Sequence, residues 1–179
     1  MFLTVHSAFG ALVATQSPNP GLAFVGGFLS HFLLDFIPHG DEKVGQLIMS
    51  HKKKFILIAG IDITLAALFT LLVGSIALTR EVRVFMVLAG ILGAVLPDFL
   101  SMAFPELHQL FRRNIVVSTS YKILRALSVA QLVAAINAVH LQIHQFWLRR
   151  YHFKLRLTQG LLLQTLCLGF LLVVLYRLL

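Results

Sequence analysis

Four long stretches of this chain, Met1–Leu34, Phe55–Thr79, Val84–Leu100 and Leu157–Tyr176, contain no Lys, Arg or Glu and at most one Asp. No other feature limits the fold so strongly. A run of about 25 apolar residues is ~37 Å long as a helix, enough to cross a bilayer. None of the runs shows the alternation of a membrane β-strand. Hydrophobic residues make up 58% of the chain and charged residues 12%, about half the ~25% of a soluble globular domain. With a mean hydropathy of +0.87, too little polar surface remains to cover the apolar interior. These values exclude an ordinary cytosolic enzyme, a disordered tail and a disulfide-stapled secreted domain. The expected class is an all-α, polytopic membrane protein forming one integral-membrane domain.

The first stretch is interrupted by Ser17-Pro18-Asn19-Pro20-Gly21, a strong turn signal. It reads as a helical hairpin with arms near residues 2–15 and 22–37. A second hairpin pairs a helix near 55–79 with one near 84–100 across the charged turn Thr79–Arg83. Segment 101–156 opens with Pro105 and a basic amphipathic piece, Glu106–Arg113, and continues into a helix near 120–150, capped at Ser118 or Ser120. Within it, Ala126–Leu148 has no formal charge but carries Ser128, Gln131, Asn137, His140, Gln142, His144 and Gln145. That polarity favours a helix lying along the interface or packed inside the bundle. A last spanning helix is expected near 157–177.

The formal charge is +8, from 15 Lys and Arg against 7 Asp and Glu, and the excess sits in the loops between apolar runs. Anionic lipid head groups are therefore the expected partners, and nucleic acid is not. Loop 38–54 and segment 101–156 together hold twelve basic residues, against Arg80, Arg83 and Arg177 on the opposite side. The positive-inside rule puts the basic loops in the cytoplasm. Cys167 is the only cysteine, so no intrachain disulfide is expected. Residues 1–34 carry no charge, so no cleaved signal peptide is expected either.

Ionisable groups at membrane depth are costly and usually functional. Five lie within the apolar runs or at their ends: His6, His31, Asp35, Asp62 and Asp98, with His39 just beyond. In the first hairpin, paired positions sum to about 37, which sets His6 opposite His31. In the second they sum to about 162, which sets Asp98 near Asp62. Loop 38–54 joins the hairpins at the end where all five lie. Three carboxylates without helix-borne basic partners call for a divalent cation. His31 and Asp35 are an i,i+4 pair on one helix face. His39, after Pro38, can turn back to the same point. Mixed His/Asp ligation suits zinc, with manganese or iron as alternatives. His140 and His144 form a second i,i+4 pair, with Asn137 on the same face.

Blander readings compete. His6 is read equally as a hydrogen-bonded core histidine, Asp35 as a helix end, Asp98 as a boundary residue or cap, and Asp62 as a partner for a neighbouring chain. His140 and His144 suit ordinary interface histidines. Gly26-Gly27, Gly90 and Gly93 suit close helix packing in lipid.

His6-Ser-Ala-Phe-Gly10, Ser30-His-Phe-Leu-Leu-Asp-Phe-Ile-Pro-His-Gly40 and Gly93-Ala-Val-Leu-Pro-Asp98 together resemble small bacterial inner-membrane proteins known as membrane-bound metal-dependent hydrolases. The HxxxD element is also similar to one in the zinc-dependent phospholipase C and single-strand nuclease family, where the Asp is a metal ligand. The His-Arg and Thr-His-Ser elements that the inner-membrane group tends to carry after Pro-Asp are absent here. The resemblance implies a hydrolase that cleaves a phosphoester, plausibly in a lipid or lipid-linked substrate. His6, His31, Asp35, His39, Asp62 and Asp98 are then the metal ligands. His140 or His144 protonates the leaving group or completes the ligand shell. The rival expectations are a non-catalytic subunit or scaffold mating with partner chains or with copies of itself, and a metal or proton carrier.

Overall fold

The computed structural model describes residues 1–39, 52–79, 83–113, 129–151 and 155–179. Among them the chain is all-helical: α1 (Leu3–Thr15), α2 (Pro20–Asp35), α3 (Lys52–Thr79), α4 (Val84–Arg113), α5 (Val129–Tyr151) and α6 (Leu157–Leu178). The loop holding Lys43 and His51, the turn at 80–82 and the expected cap at Ser118 or Ser120 lie outside the described residues.

The break between α1 and α2 has a local cause. The Asn19 side chain accepts a hydrogen bond from Leu22 N at 2.9 Å, and Pro20 occupies the first turn, where its missing N–H costs nothing. α2 ends at Asp35, three residues before Pro38, which cannot continue it.

The centre of the molecule is α1, α2 and α4, which make the most extensive helix contacts. Glycine permits the close approach. A Cβ added at Gly27 would collide with the Gly90 carbonyl, one at Gly90 with the Gly10 carbonyl, and one at Gly93 with the Phe24 carbonyl. Ala8, Ala11, Ala14, Ala23 and Ala94 continue the small-residue seam, all buried. Helices packed at backbone distance through small residues are the pattern expected in lipid, where dispersion rather than water exclusion drives association.

Two expectations change. α4 does not stop near residue 100 but runs on through Pro97 and Pro105 to Arg113. It also leans on α1 and α2 far more than on α3, so the second hairpin is loose, because the glycine seam draws α4 inward. α3 and α6 instead pack on α1 from outside.

Among the described residues, three helices are long and apolar enough to cross a membrane: Ile56–Thr79, Val84–Ser101 and Thr158–Leu178. Their outward faces carry exposed Leu57, Leu68, Leu71 and Leu72 on α3, Phe85 and Leu92 on α4, and Leu162, Leu166 and Phe170 on α6. α5 is wetter, as its sequence suggests, and packs against α2 and α4.

Candidate metal centre

His31 and Asp35 sit one turn apart at the end of α2, which puts imidazole and carboxylate on one face. Nε2 of His31 is 3.0 Å from Asp35 Oδ2, and both side chains are fully buried. α1 lies antiparallel to α2 and brings His6 alongside, its ring stacked on that of His31 with centroids 4.1 Å apart. α5 delivers His140 and His144, whose Nε2 atoms each lie 2.9 Å from the same Oδ2. Three imidazole nitrogens therefore meet one carboxylate oxygen. α4 adds Asp98, with Oδ1 3.4 Å from His140 Nε2 and 3.9 Å from His31 Nε2.

The other Asp35 oxygen is also enclosed. Oδ1 lies 3.2 Å from His6 Nε2, 3.9 Å from His39 Nε2 and 2.8 Å from the Met1 amino nitrogen. His39 turns back after Pro38 and is buried. Its Nδ1 contacts the Ile37 carbonyl, and its Nε2 lies 2.7 Å from the Met1 nitrogen.

Hydrogen-bond chemistry sets the tautomers of two of these rings. The Ala94 carbonyl only accepts, so His31 Nδ1, 2.7 Å away, carries a proton and donates it. Its other ring nitrogen, Nε2, faces Asp35 Oδ2, an oxygen that also only accepts. The Ile37 carbonyl sets His39 in the same tautomer. A backbone carbonyl on the far nitrogen is the usual orienting contact of a metal-binding histidine. His6 is fully buried; its Nε2 lies 3.2 Å from Asp35 Oδ1, while its Nδ1 has no hydrogen-bond partner among the described residues, which is expensive at that depth.

Two sets of ligand atoms lie within 4.8 Å of one another: His31, Asp35, Asp98 and His140, and separately Asp35, His39 and His144. The Nε2–Nε2 separations of 3.2 Å (His31–His140) and 2.9 Å (His140–His144) are close to the edge of a small coordination tetrahedron, about 3.3–3.4 Å for bonds of 2.0–2.1 Å. Among the described residues no Lys or Arg pairs with Asp35 or Asp98. The buried His/Asp cluster can hold a metal ion.

His140 and His144, expected mainly as proton donors, thus stand as close to Asp35 as His31 does. Asp62 stands apart. Its carboxylate caps α1, accepting from Leu3 N (2.7 Å), Thr4 N (3.2 Å) and Thr4 Oγ1 (2.8 Å), and it belongs to neither ligand set. The N-cap position of α1, Phe2, has no side-chain acceptor, and Asp62 supplies one from the neighbouring helix. Its helix dipole partner explains why an isolated carboxylate is tolerated there.

Gln164 of α6 was not singled out in the sequence. It is buried, accepts from Phe2 N at 2.7 Å and donates to the His39 carbonyl at 3.1 Å, tying α6 to the cluster. Its signal was an amide in the middle of an apolar run. Comparison with protein families, curated proteins and solved structures finds no match to this chain.

Proposed function

We propose that this chain is an integral membrane protein of the bacterial inner membrane, with its basic loops cytoplasmic and a divalent metal, zinc before manganese or iron, at the Asp35 cluster. We further propose that it is a hydrolase of a phosphoester in a lipid or lipid-linked substrate. One observation carries the metal reading: three imidazole Nε2 atoms converge at 2.9–3.0 Å on a single buried carboxylate oxygen, with the His31 tautomer set from behind by a carbonyl.

A divalent ion there would polarise a phosphoryl oxygen and acidify a water. The chain's own part is to hold the ligands rigidly in a dry site and to leave one edge open. His144 (21% exposed side chain) and Asp98 (18%) form that edge, whereas His6, His31 and Asp35 are sealed. A substrate would reach the cluster past His144, which is placed to give or take a proton.

That sealing also supports a second reading, in which the ion is structural and clamps α2, α4 and α5 together in a non-catalytic subunit. The deciding experiment is turnover of a panel of anionic phospholipids by the metal-loaded protein. Chelator-sensitive release of head group or phosphate, abolished by His144→Ala, supports the hydrolase. Bound metal without turnover on any lipid supports the clamp.

A further inference from the structure

The ligand atoms around Asp35 fall into two groups of parallel construction. One comes from His31, Asp35, Asp98 and His140, the other from Asp35, His39 and His144. Each group holds one histidine braced from behind: the Ala94 carbonyl accepts from Nδ1 of His31, and the Ile37 carbonyl from Nδ1 of His39. Each also holds one member of the i,i+4 pair on α5, His140 in the first and His144 in the second. Asp35 is common to both. His31, His140 and His144 reach its Oδ2 at 3.0, 2.9 and 2.9 Å, whereas His39 approaches Oδ1 at 3.9 Å. Fully buried His6 points a further nitrogen at Oδ1, with Nε2 at 3.2 Å. A carboxylate has lone pairs on both oxygens and can serve two ions at once.

The two groups differ in closure. The first offers four side chains from α2, α4 and α5, enough to fill a tetrahedral shell. The second offers three among the described residues, and three protein ligands leave a fourth position for water or substrate. Its His144 stands at the exposed edge of the cluster. A positive group already sits on this side: the Met1 ammonium lies 2.8 Å from Asp35 Oδ1 and 2.7 Å from His39 Nε2. An ion entering the second group must displace it, and so is held more weakly than the first.

We infer that the cluster is a dinuclear centre in which Asp35 bridges two divalent ions of unequal strength. The tight ion is held by His31, Asp35, Asp98 and His140, and the exchangeable ion by Asp35, His39 and His144. The inference rests on the reading that the cluster binds divalent metal, and goes beyond it by giving the clamp and the open coordination position to different ions. Paired ions about 3.5–4 Å apart hold the attacking and leaving oxygens of one phosphoryl group, so the open position would take a phosphoryl oxygen.

The test is Mn²⁺ titration of the chelator-stripped full chain in detergent, followed by calorimetry and by electron paramagnetic resonance on the same samples. The native chain should bind two ions, the first severalfold tighter. The second equivalent should replace the isolated-ion spectrum by that of an exchange-coupled pair. His39→Ala and His144→Ala should each bind one ion, with an isolated-ion spectrum at every loading. Asp98→Asn should still take two ions but lose the gap between the two steps. Asp62→Ala, outside both groups, should keep both ions and their coupling. One ion in the native chain, two ions without coupling, or a coupled pair persisting in both histidine variants overturns the dinuclear centre and leaves the metal reading standing. No ion bound by the native chain overturns the metal reading itself.

Discussion

Asp35 is the residue on which the cluster turns, because both of its oxygens are enclosed and, among the described residues, no other carboxylate touches as many imidazoles. Asp35→Asn keeps the size and removes the charge and one acceptor. It should weaken divalent-metal affinity by more than about 100-fold, read by competition with a chromophoric chelator, while the protein still inserts. Asp62→Ala should behave differently. It removes the acceptor that caps α1, costing about 1–2 kcal/mol of stability with metal still bound. Metal loss from Asp62→Ala as complete as from Asp35→Asn would contradict the separation of these two carboxylates. The His6–His31 and His31–Asp35 neighbours were legible in the sequence because hairpin pairing and helix periodicity are local arithmetic. Asp62 was misplaced because its partner is the start of α1, a contact about 58 residues away that no periodicity encodes.

At the level of elements, the helices follow from apolar runs and from Asn19-Pro20 at a turn, and those parts of the sequence were readable. The course of α4 was not, since Pro105 read as the opening of a new segment yet lies, like Pro97, inside a continuous helix. Nor was its preference for α1 and α2, which depends on glycines 10, 27, 90 and 93 meeting across three helices. Each glycine alone says little. The added methyl of Gly27→Ala must push the Gly90 carbonyl away. Overpacking of that kind costs about 1–3 kcal/mol, so the variant should lose roughly 2–12 °C of Tm in detergent, followed by its α-helical circular dichroism. Gly74→Ala, where a Cβ meets open space, should leave Tm unchanged or raise it. Equal effects at the two positions would show that the seam is not packed at backbone distance.

For the whole molecule, the proposed topology has α3 and α4 crossing the bilayer in opposite directions, with α1, α3 and α6 beginning at one face. In a Cys167→Ser background, single cysteines at Lys53 and Arg156 should label from the cytoplasmic side, and one at Arg83 from the other. Opposite accessibility of positions 53 and 156 would dismantle the proposed topology. The cluster itself gathers side chains from α1, α2, α4 and α5, so an ion bound there would be a cross-brace for the bundle. The most direct measurement of this account is elemental analysis of the detergent-purified chain beside its Asp35→Asn/Asp98→Asn variant. The account predicts one or two divalent ions per native chain, zinc foremost, and none in a variant that still inserts. Metal-free native protein, or full metal retention by the variant, would contradict it.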